Sequence, residues 1–193
     1  IYPWLKEHFA PRLDNVTEDA FYRMINKSQP SLIRTEADEL TYCLHIMVRY
    51  ELEKRMFDGT LTAHDLPAEW NRLYKEYLGI DVPDDRQGVL QDSHWANGNI
   101  GYFPSYAIGS AYGAQYLLEL SKVLDVDAVV RSGDLTPINN WLEEKIWKYG
   151  CMKSPVALFE SVCGKFDPDC YVAYLENKFT EVYDLEKVQK RTG

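Results

Sequence analysis

Residues 33–56 read IRTEADELTYCLHIMVRYELEKRM and contain the clearest helical pattern of the chain. Apolar side chains recur there at the period of an α-helix, at Leu40, Leu44, Met47 and Leu52. Thr35 is a suitable N-cap, and Gly59 follows the end of the pattern. We predict one long helix from about Glu36 to Met56.

Capping signals mark further helices on both sides of this one. Proline follows a capping residue directly at Ser154 and Asp167 and two positions later at Asp65, which is typical of a helix start. Gly79 and Gly164 each follow an apolar helical pattern and should end it. The predicted helices cover about Thr17–Asn26, Asp65–Gly79, Tyr106–Leu124 and Thr136–Tyr149, with two more after Ser154 and Asp167.

The segment Ile80–Ser105 interrupts the helical pattern and is rich in Asp, Asn, Gly and Pro. It predicts one long irregular loop, or a short hairpin, and long structured loops between helices are often functional. We therefore expect an all-α fold, mainly helical, in which residues 1–193 form a single domain with this loop on its working surface.

Composition excludes several classes of function. The 21 basic and 30 acidic residues give a net charge of −9, which argues against a nucleic-acid partner. No run of 18 apolar residues occurs, so we expect no membrane-spanning segment. The four cysteines lack zinc-finger or Cys-x-x-Cys spacing, which is typical of a reduced, cytoplasmic protein.

Arg34, at the start of the long predicted helix, is the first candidate for a functional residue. The neighbouring acidic residues Glu36 and Asp38 suit the positive N-terminus of a helix, whereas a cation does not. A planar guanidinium in this position can bind a carboxylate through two hydrogen bonds. That carboxylate could belong to a substrate, or it could be Glu36 or Asp38.

The predicted loop supplies the second candidate, in Gln91, Asp92 and His94. If the segment is extended, Asp92 and His94 lie on one face, where Asp92 or Gln91 could orient the imidazole. The alternative is an exposed histidine with a local hydrogen bond.

Two tyrosines after the loop glycines form the third candidate. Tyr102 and Tyr106 follow Gly98 and Gly101, and a phenol can donate a hydrogen bond to a developing oxyanion. The alternative is that both are core aromatic residues with a polar end.

The remaining histidines indicate no further catalytic site. His45 lies within the predicted long helix and is interpreted as a helix residue, while His8 and His64 are expected at the surface. His-Glu-x-x-His, Gly-x-Ser-x-Gly and a glycine-rich phosphate loop do not occur in the sequence. The residues alone therefore give no complete recognised catalytic set.

Two of these segments resemble signature motifs of the carboxypeptidase Taq family, the thermostable-type metallocarboxypeptidases. They are Ile33-Arg-Thr-Glu-Ala-Asp-Glu39 and Gly88-Val-Leu-Gln-Asp-Ser-His-Trp95. The resemblance extends through Asp65-Leu-Pro-Ala-Glu-Trp-Asn71 and Gly101-Tyr-Phe-Pro-Ser-Tyr106 to the Tyr174–Lys178 region, and so covers nearly the whole chain. It implies a neurolysin-like, mainly helical metallopeptidase fold with a deep groove.

Four other motifs of that family, two of which supply its metal ligands, do not occur in the sequence. Family members carry His-Pro-Phe, Asp-x-Arg-x-Thr, His-Glu-x-x-His and His-Glu-Ser/Gly-Gln motifs further N-terminal. The resemblance thus implies the C-terminal portion of a longer enzyme, with zinc or cobalt in the complete enzyme and no metal bound by this chain. On this interpretation the chain alone is inactive.

The resemblance also implies roles for the candidate residues. Tyr106 is the expected oxyanion donor, with Tyr102 as the alternative, and His94 binds the substrate or assists the same charge. Arg34 is expected to anchor the free C-terminal carboxylate of a peptide.

Supporting residues follow from the same resemblance. Gln91 and Asp92 would orient His94, while Glu36 and Asp38 could hold Arg34 in place. The resemblance also implies a homodimer, because members of that family form homodimers. The competing hypothesis is a non-catalytic helical module of the same fold that binds peptides or a protein partner.

Overall fold

A computed structural model of the chain describes residues 1–185, and this part is helical without any β-strand. The predicted all-α class is therefore confirmed. The α-helices of the described part are α1 Tyr2–His8, α2 Glu18–Ile25, α3 Tyr42–Phe57, α4 Leu66–Leu78, α5 Pro104–Ser121, α6 Val126–Ser132, α7 Thr136–Lys145, α8 Pro155–Cys163 and α9 Asp169–Tyr183. Short 3₁₀ turns cover Arg34–Glu36 and Trp147–Tyr149. No helix in residues 1–185 combines the length and apolar character needed to cross a bilayer.

Local capping chemistry explains several helix ends. The Thr17 hydroxyl accepts a hydrogen bond from the Ala20 amide at 3.1 Å, and Ser154 does the same for Ala157 at 3.3 Å. Gly79 ends α4 with a positive φ of 73°, a conformation that disfavours any side chain. These boundaries agree with the sequence predictions.

The start of α3 differs from the prediction by six residues, because the helix begins at Tyr42 rather than Glu36. The Asp38 carboxylate accepts hydrogen bonds from the backbone amides of Leu40 and Thr41, both at 3.0 Å, and from the Thr41 hydroxyl. Asp38 therefore organises the turn that leads into the helix, and Thr35 lies inside the short 3₁₀ turn Arg34–Glu36.

Two further helix boundaries and two whole helices also depart from the prediction. Helix α5 covers Pro104–Ser121, two residues earlier at its start than predicted, and α7 gives way to a 3₁₀ turn after Lys145. The short helices α1 and α6 were not predicted. Residues 80–103 form an irregular loop of turns and bends, as predicted, without a hairpin.

The chain divides into two compact units. The first contains residues 1–104 and the part of α9 from Asn177 onward, and the second contains residues 105–176. The core of the first unit forms where α3 packs on α4, and it comprises Val48, Leu52, Leu61, Trp70, Leu73, Tyr74 and Leu78. Burying each such large side chain contributes about 1.5–3 kcal/mol.

The second unit has an aromatic core of its own. Phe159 of α8 is fully buried and stacks on Tyr112 of α5, with ring centroids 3.9 Å apart. Phe166 packs edge-on against both rings. The Gln115 amide stabilises the turn before α9, because it accepts from the Asp167 amide and donates to the Lys165 carbonyl, both at 3.0 Å.

Candidate functional site

The first unit joins the turn before α3 to the loop after α4 through Arg34. This side chain is buried, with 6% of its surface exposed, and its Nε and Nη2 donate to Asp92 Oδ1 at 3.1 and 2.8 Å. Its Nη1 donates to the Tyr42 hydroxyl at 3.1 Å, and its backbone amide donates to Gln91 Oε1 at 2.9 Å. The two sequence motifs are therefore in direct contact.

Asp92 binds a second arginine that the sequence analysis did not single out. Arg49 of α3 is fully buried and donates from Nε to Asp92 Oδ2 at 2.7 Å. Burial by itself raises the pKa of the Asp92 carboxyl, but the hydrogen bonds and charges of the two arginines outweigh it and hold the pKa below its ordinary value. Asp92 is thus an ionised carboxylate between two guanidinium groups.

Gln91 completes this network with both ends of its amide. Its oxygen accepts from Arg49 Nη2 at 2.9 Å as well as from the Arg34 amide. Its nitrogen donates to the backbone carbonyls of Leu32 and Gln87, each at 3.0 Å. These contacts fix the orientation of the amide and tie the loop to both α3 and the turn before it.

His45 supports Gln91 from the core. The Tyr74 hydroxyl donates to the Leu32 carbonyl at 3.2 Å, so it accepts from His45 Nδ1, which lies 3.0 Å away, and from Gln91. His45 is fully buried, and within residues 1–185 its Nε2 has no hydrogen-bond partner. Burial, together with the charges of Arg49 and Arg34, lowers the His45 pKa to about 4, so the ring is neutral at pH 7.

His94 lies beside this network with its ring half-buried. Its Nδ1 is 3.9 Å from Asp92 Oδ1, which is beyond hydrogen-bond distance but close enough for an electrostatic interaction. The imidazole packs on Phe103 with centroids 4.4 Å apart and lies 5.8 Å from the Tyr102 ring. Tyr102 itself is 51% exposed, so this end of the loop faces outward in the first unit.

Glu53 is a second buried charged residue that the sequence analysis missed. Its Oε1 accepts from the Trp95 indole at 2.7 Å and from the Gly101 amide at 3.2 Å. Glu53 is 5% exposed and lies four residues after Arg49, which lies four after His45. This spacing on a helix was visible in the sequence. The partners of these residues were not, because they lie 29 to 48 positions away along the chain.

The remaining predicted residues are placed separately. Asp38 binds Ser28 and Gln29 in addition to the turn before α3, while the carboxylate that pairs with Arg34 is Asp92. Glu36 is exposed in the 3₁₀ turn. Tyr106 belongs to α5 in the second unit, where it is half-buried.

The chain does not itself provide a metal centre in its described part. Among residues 1–185, no three His, Cys, Asp or Glu side chains come together as a possible metal site.

Comparisons with known proteins give a consistent family. Residues 1–179 match the family model for carboxypeptidase Taq (M32) metallopeptidases. The chain is 42% identical over 186 residues to carboxypeptidase 1 of Bacillus subtilis, covering 95% of this chain and 37% of that protein. It is 40% identical to thermostable carboxypeptidase 1 of Thermus thermophilus, covering 94% of this chain and 36% of that protein.

Solved structures agree with the sequence relatives. The crystal structure of the M32 carboxypeptidase from Deinococcus radiodurans superposes with a TM-score of 0.91 at 36% identity, covering 95% of this chain and 37% of that one. The chain thus spans little more than a third of the length of the relatives it matches. These matches confirm the family that the two motifs suggested, and the chain belongs to the carboxypeptidase Taq (M32) metallopeptidase family.

Proposed function

We propose that this chain is the C-terminal, substrate-binding portion of a metal-dependent carboxypeptidase that hydrolyses the C-terminal peptide bond of peptides. The family match over residues 1–179 carries this proposal. The chain spans 37% of the Bacillus relative, and its described residues supply no metal site. We accordingly expect it to be inactive by itself and active as part of the complete enzyme.

Arg34 is the proposed anchor for the free C-terminal carboxylate of the substrate. Two features support this role: the guanidinium is largely removed from water, and Asp92 and Tyr42 fix its plane. Hydrogen bonds from a fixed, desolvated guanidinium to a carboxylate are stronger than those made in water. Gln91 and Asp92 act on substrate binding by holding Arg34 in this orientation, and Glu36 and Asp38 shape the turn that carries it.

His94, Tyr102 and Tyr106 are the proposed catalytic side chains of this portion. His94 binds the substrate backbone, and Tyr106 donates a hydrogen bond to the developing oxyanion, with Tyr102 as the alternative donor. These roles are supported by the chemistry of the three side chains and by their positions in the family motifs. Single Tyr106→Phe and Tyr102→Phe variants of the complete enzyme distinguish the two donors, because only the substitution that removes the true donor should lower kcat.

The metal and assembly of the complete enzyme are part of the same proposal. We propose zinc, or cobalt, held by residues outside this chain, and a homodimer in the cytoplasm. Metal analysis of the purified complete enzyme and light scattering test these two points. A monomer by light scattering would contradict the proposed dimer but would leave the proposed activity unaffected.

The decisive test compares peptides with free and amidated C-termini. The complete enzyme should release the last residue of the free peptide only, and a chelator should abolish the reaction. Arg34→Ala should raise KM for the free peptide at least about tenfold, which corresponds to about 1.4 kcal/mol. An unchanged KM and kcat would remove Arg34 from the substrate site, and binding of peptides without cleavage would favour a non-catalytic module.

A further inference from the structure

Helix α3 presents an unusual set of side chains to the core. His45, Arg49 and Glu53 lie four residues apart, so they share one face of the helix, and all three are at most 5% exposed. Apolar Met47 and Phe57 are instead 46% and 69% exposed. Burying charged groups is unfavourable unless each is paired, so the contacts made by this polar face must account for its burial.

Each of the three residues contacts the loop 80–103 directly or through one side chain. His45 reaches Gln91 through the Tyr74 hydroxyl. Arg49 binds both Gln91 and Asp92.

Glu53 binds the loop at two further positions. Its Oε1 accepts from the Trp95 indole and from the Gly101 amide. The polar face of α3 therefore contacts the loop before His94, directly after it, and directly before Tyr102.

We propose that Arg49 and Glu53 are positioning residues that hold the loop on both sides of His94. This inference rests on the proposed function, since it assigns a role to the loop that carries the substrate-facing histidine. Arg49 also lies over the Phe103 ring, 5.3 Å from its centroid, and His94 packs on that same ring. The imidazole is thus fixed through Asp92, Trp95 and Phe103 rather than by α3 directly.

Such support is needed because a long loop is mobile unless it is tied to rigid elements. A catalytic or binding side chain must be held to within about 0.5 Å to be effective. A single carboxylate oxygen that accepts two N–H groups provides one anchor of this kind. Glu53→Gln keeps an acceptor oxygen at this position, whereas Glu53→Leu removes it and leaves both donors unpaired.

The test on the chain itself uses amide and indole hydrogen exchange measured by NMR. In Glu53→Leu, exchange of the Trp95 indole proton should accelerate at least about tenfold, as expected when a charge-assisted hydrogen bond is lost. Ring signals of His94 and Tyr102 should shift or broaden in the same variant. Glu53→Gln should restore the wild-type pattern to within a few-fold, and the indole of Trp141, in α7 of the second unit, serves as an internal reference.

Glu51→Leu is the matched control. Glu51 lies on the same helix, pairs with Lys54 at 3.0 Å, and makes no contact with the loop among those described. It should leave the Trp95, His94 and Tyr102 signals unchanged. If Glu53→Leu frees the Trp95 indole but leaves the His94 ring signals unchanged, Glu53 stabilises the fold without positioning His94, and the proposal is overturned.

Trp95→Phe covers the case in which Glu53→Leu does not fold. It removes only the indole donor and retains an aromatic ring, and it should disturb the His94 signals in the same direction. In the complete enzyme, Glu53→Leu should lower kcat/KM at least about tenfold while Glu53→Gln stays near wild type. Absence of peptidase activity in the unmodified complete enzyme would refute the proposed function instead, because the NMR result does not depend on it.

Discussion

Replacing the buried histidine of α3 should change how the stability of the chain depends on pH. His45 is fully buried and neutral, and its pKa is lowered to about 4, chiefly by burial. His45→Asn places an amide nitrogen near the position of the imidazole Nδ1. The variant can therefore still donate to the Tyr74 hydroxyl, but it can no longer bind a proton.

The sign and size of the effect follow from proton linkage. An unfolded histidine has a pKa of about 6.5, so between this value and about 4 the unfolded chain binds one more proton at this residue than the folded chain. The contribution of neutral His45 to stability is complete above pH 6.5 and is lost as the pH falls towards 4. Over the two pH units between pH 6.5 and pH 4.5, it amounts to about 3 kcal/mol.

The assay is urea unfolding of wild type and His45→Asn at pH 7.5 and pH 4.5, followed by tryptophan fluorescence. The variant should lose stability at pH 7.5 because ring contacts are removed. Its deficit relative to wild type should then shrink by about 3 kcal/mol at pH 4.5. His64→Asn, at an imidazole that is 95% exposed, is the control and should follow the wild type. Parallel stability curves for wild type and His45→Asn would refute the assignment of a buried neutral His45.

Three further predictions concern separate parts of the structure. Asp92→Ala leaves two buried guanidinium groups without their shared carboxylate and should lower the free energy of unfolding by about 3–5 kcal/mol. Asp81→Ala, in an exposed ion pair, is the control and should lower it by less than about 1 kcal/mol. Equal losses for the two variants in urea unfolding would contradict the buried network. Gly79→Ala should destabilise the folded chain by about 1–2 kcal/mol, because φ is 73° there. Gly113→Ala in α5, with open space around it, should instead stabilise the folded chain by about 0.5–1 kcal/mol. Thermal unfolding measures both changes. Tyr106→Phe in the complete enzyme should lower kcat about 100-fold if its phenol is the oxyanion donor; a change of less than a few-fold would move that role elsewhere.

Helix ends were predictable where the deciding contact is local. Thr17 and Ser154 cap amides three residues away, and Gly79 ends α4 by its own backbone conformation. The start of α3 was predicted six residues too early. The Asp38 carboxylate binds the amides of Leu40 and Thr41 in a turn that precedes the helix, and only the folded structure shows that this turn comes before the first helical residue.

The candidate site was predictable in its motifs and not in its connections. Arg34, Gln91 and Asp92 stood out by residue type, but nothing local shows that they bind one another across 57 or 58 positions. Arg49 and Glu53 were hidden for the same reason. A charged residue on a helix is expected to face the solvent, unless the loop that covers it is known.

The central claim is that this chain forms the substrate-binding portion of a metallocarboxypeptidase. The most direct measurement is hydrolysis of a peptide with a free C-terminus and of its C-terminal amide by the complete protein, with and without chelator. The account predicts release of the last residue from the free peptide alone, abolished by the chelator, and no release by the 193-residue chain on its own. Failure of the complete protein to cleave either peptide, with metal supplied, would contradict it.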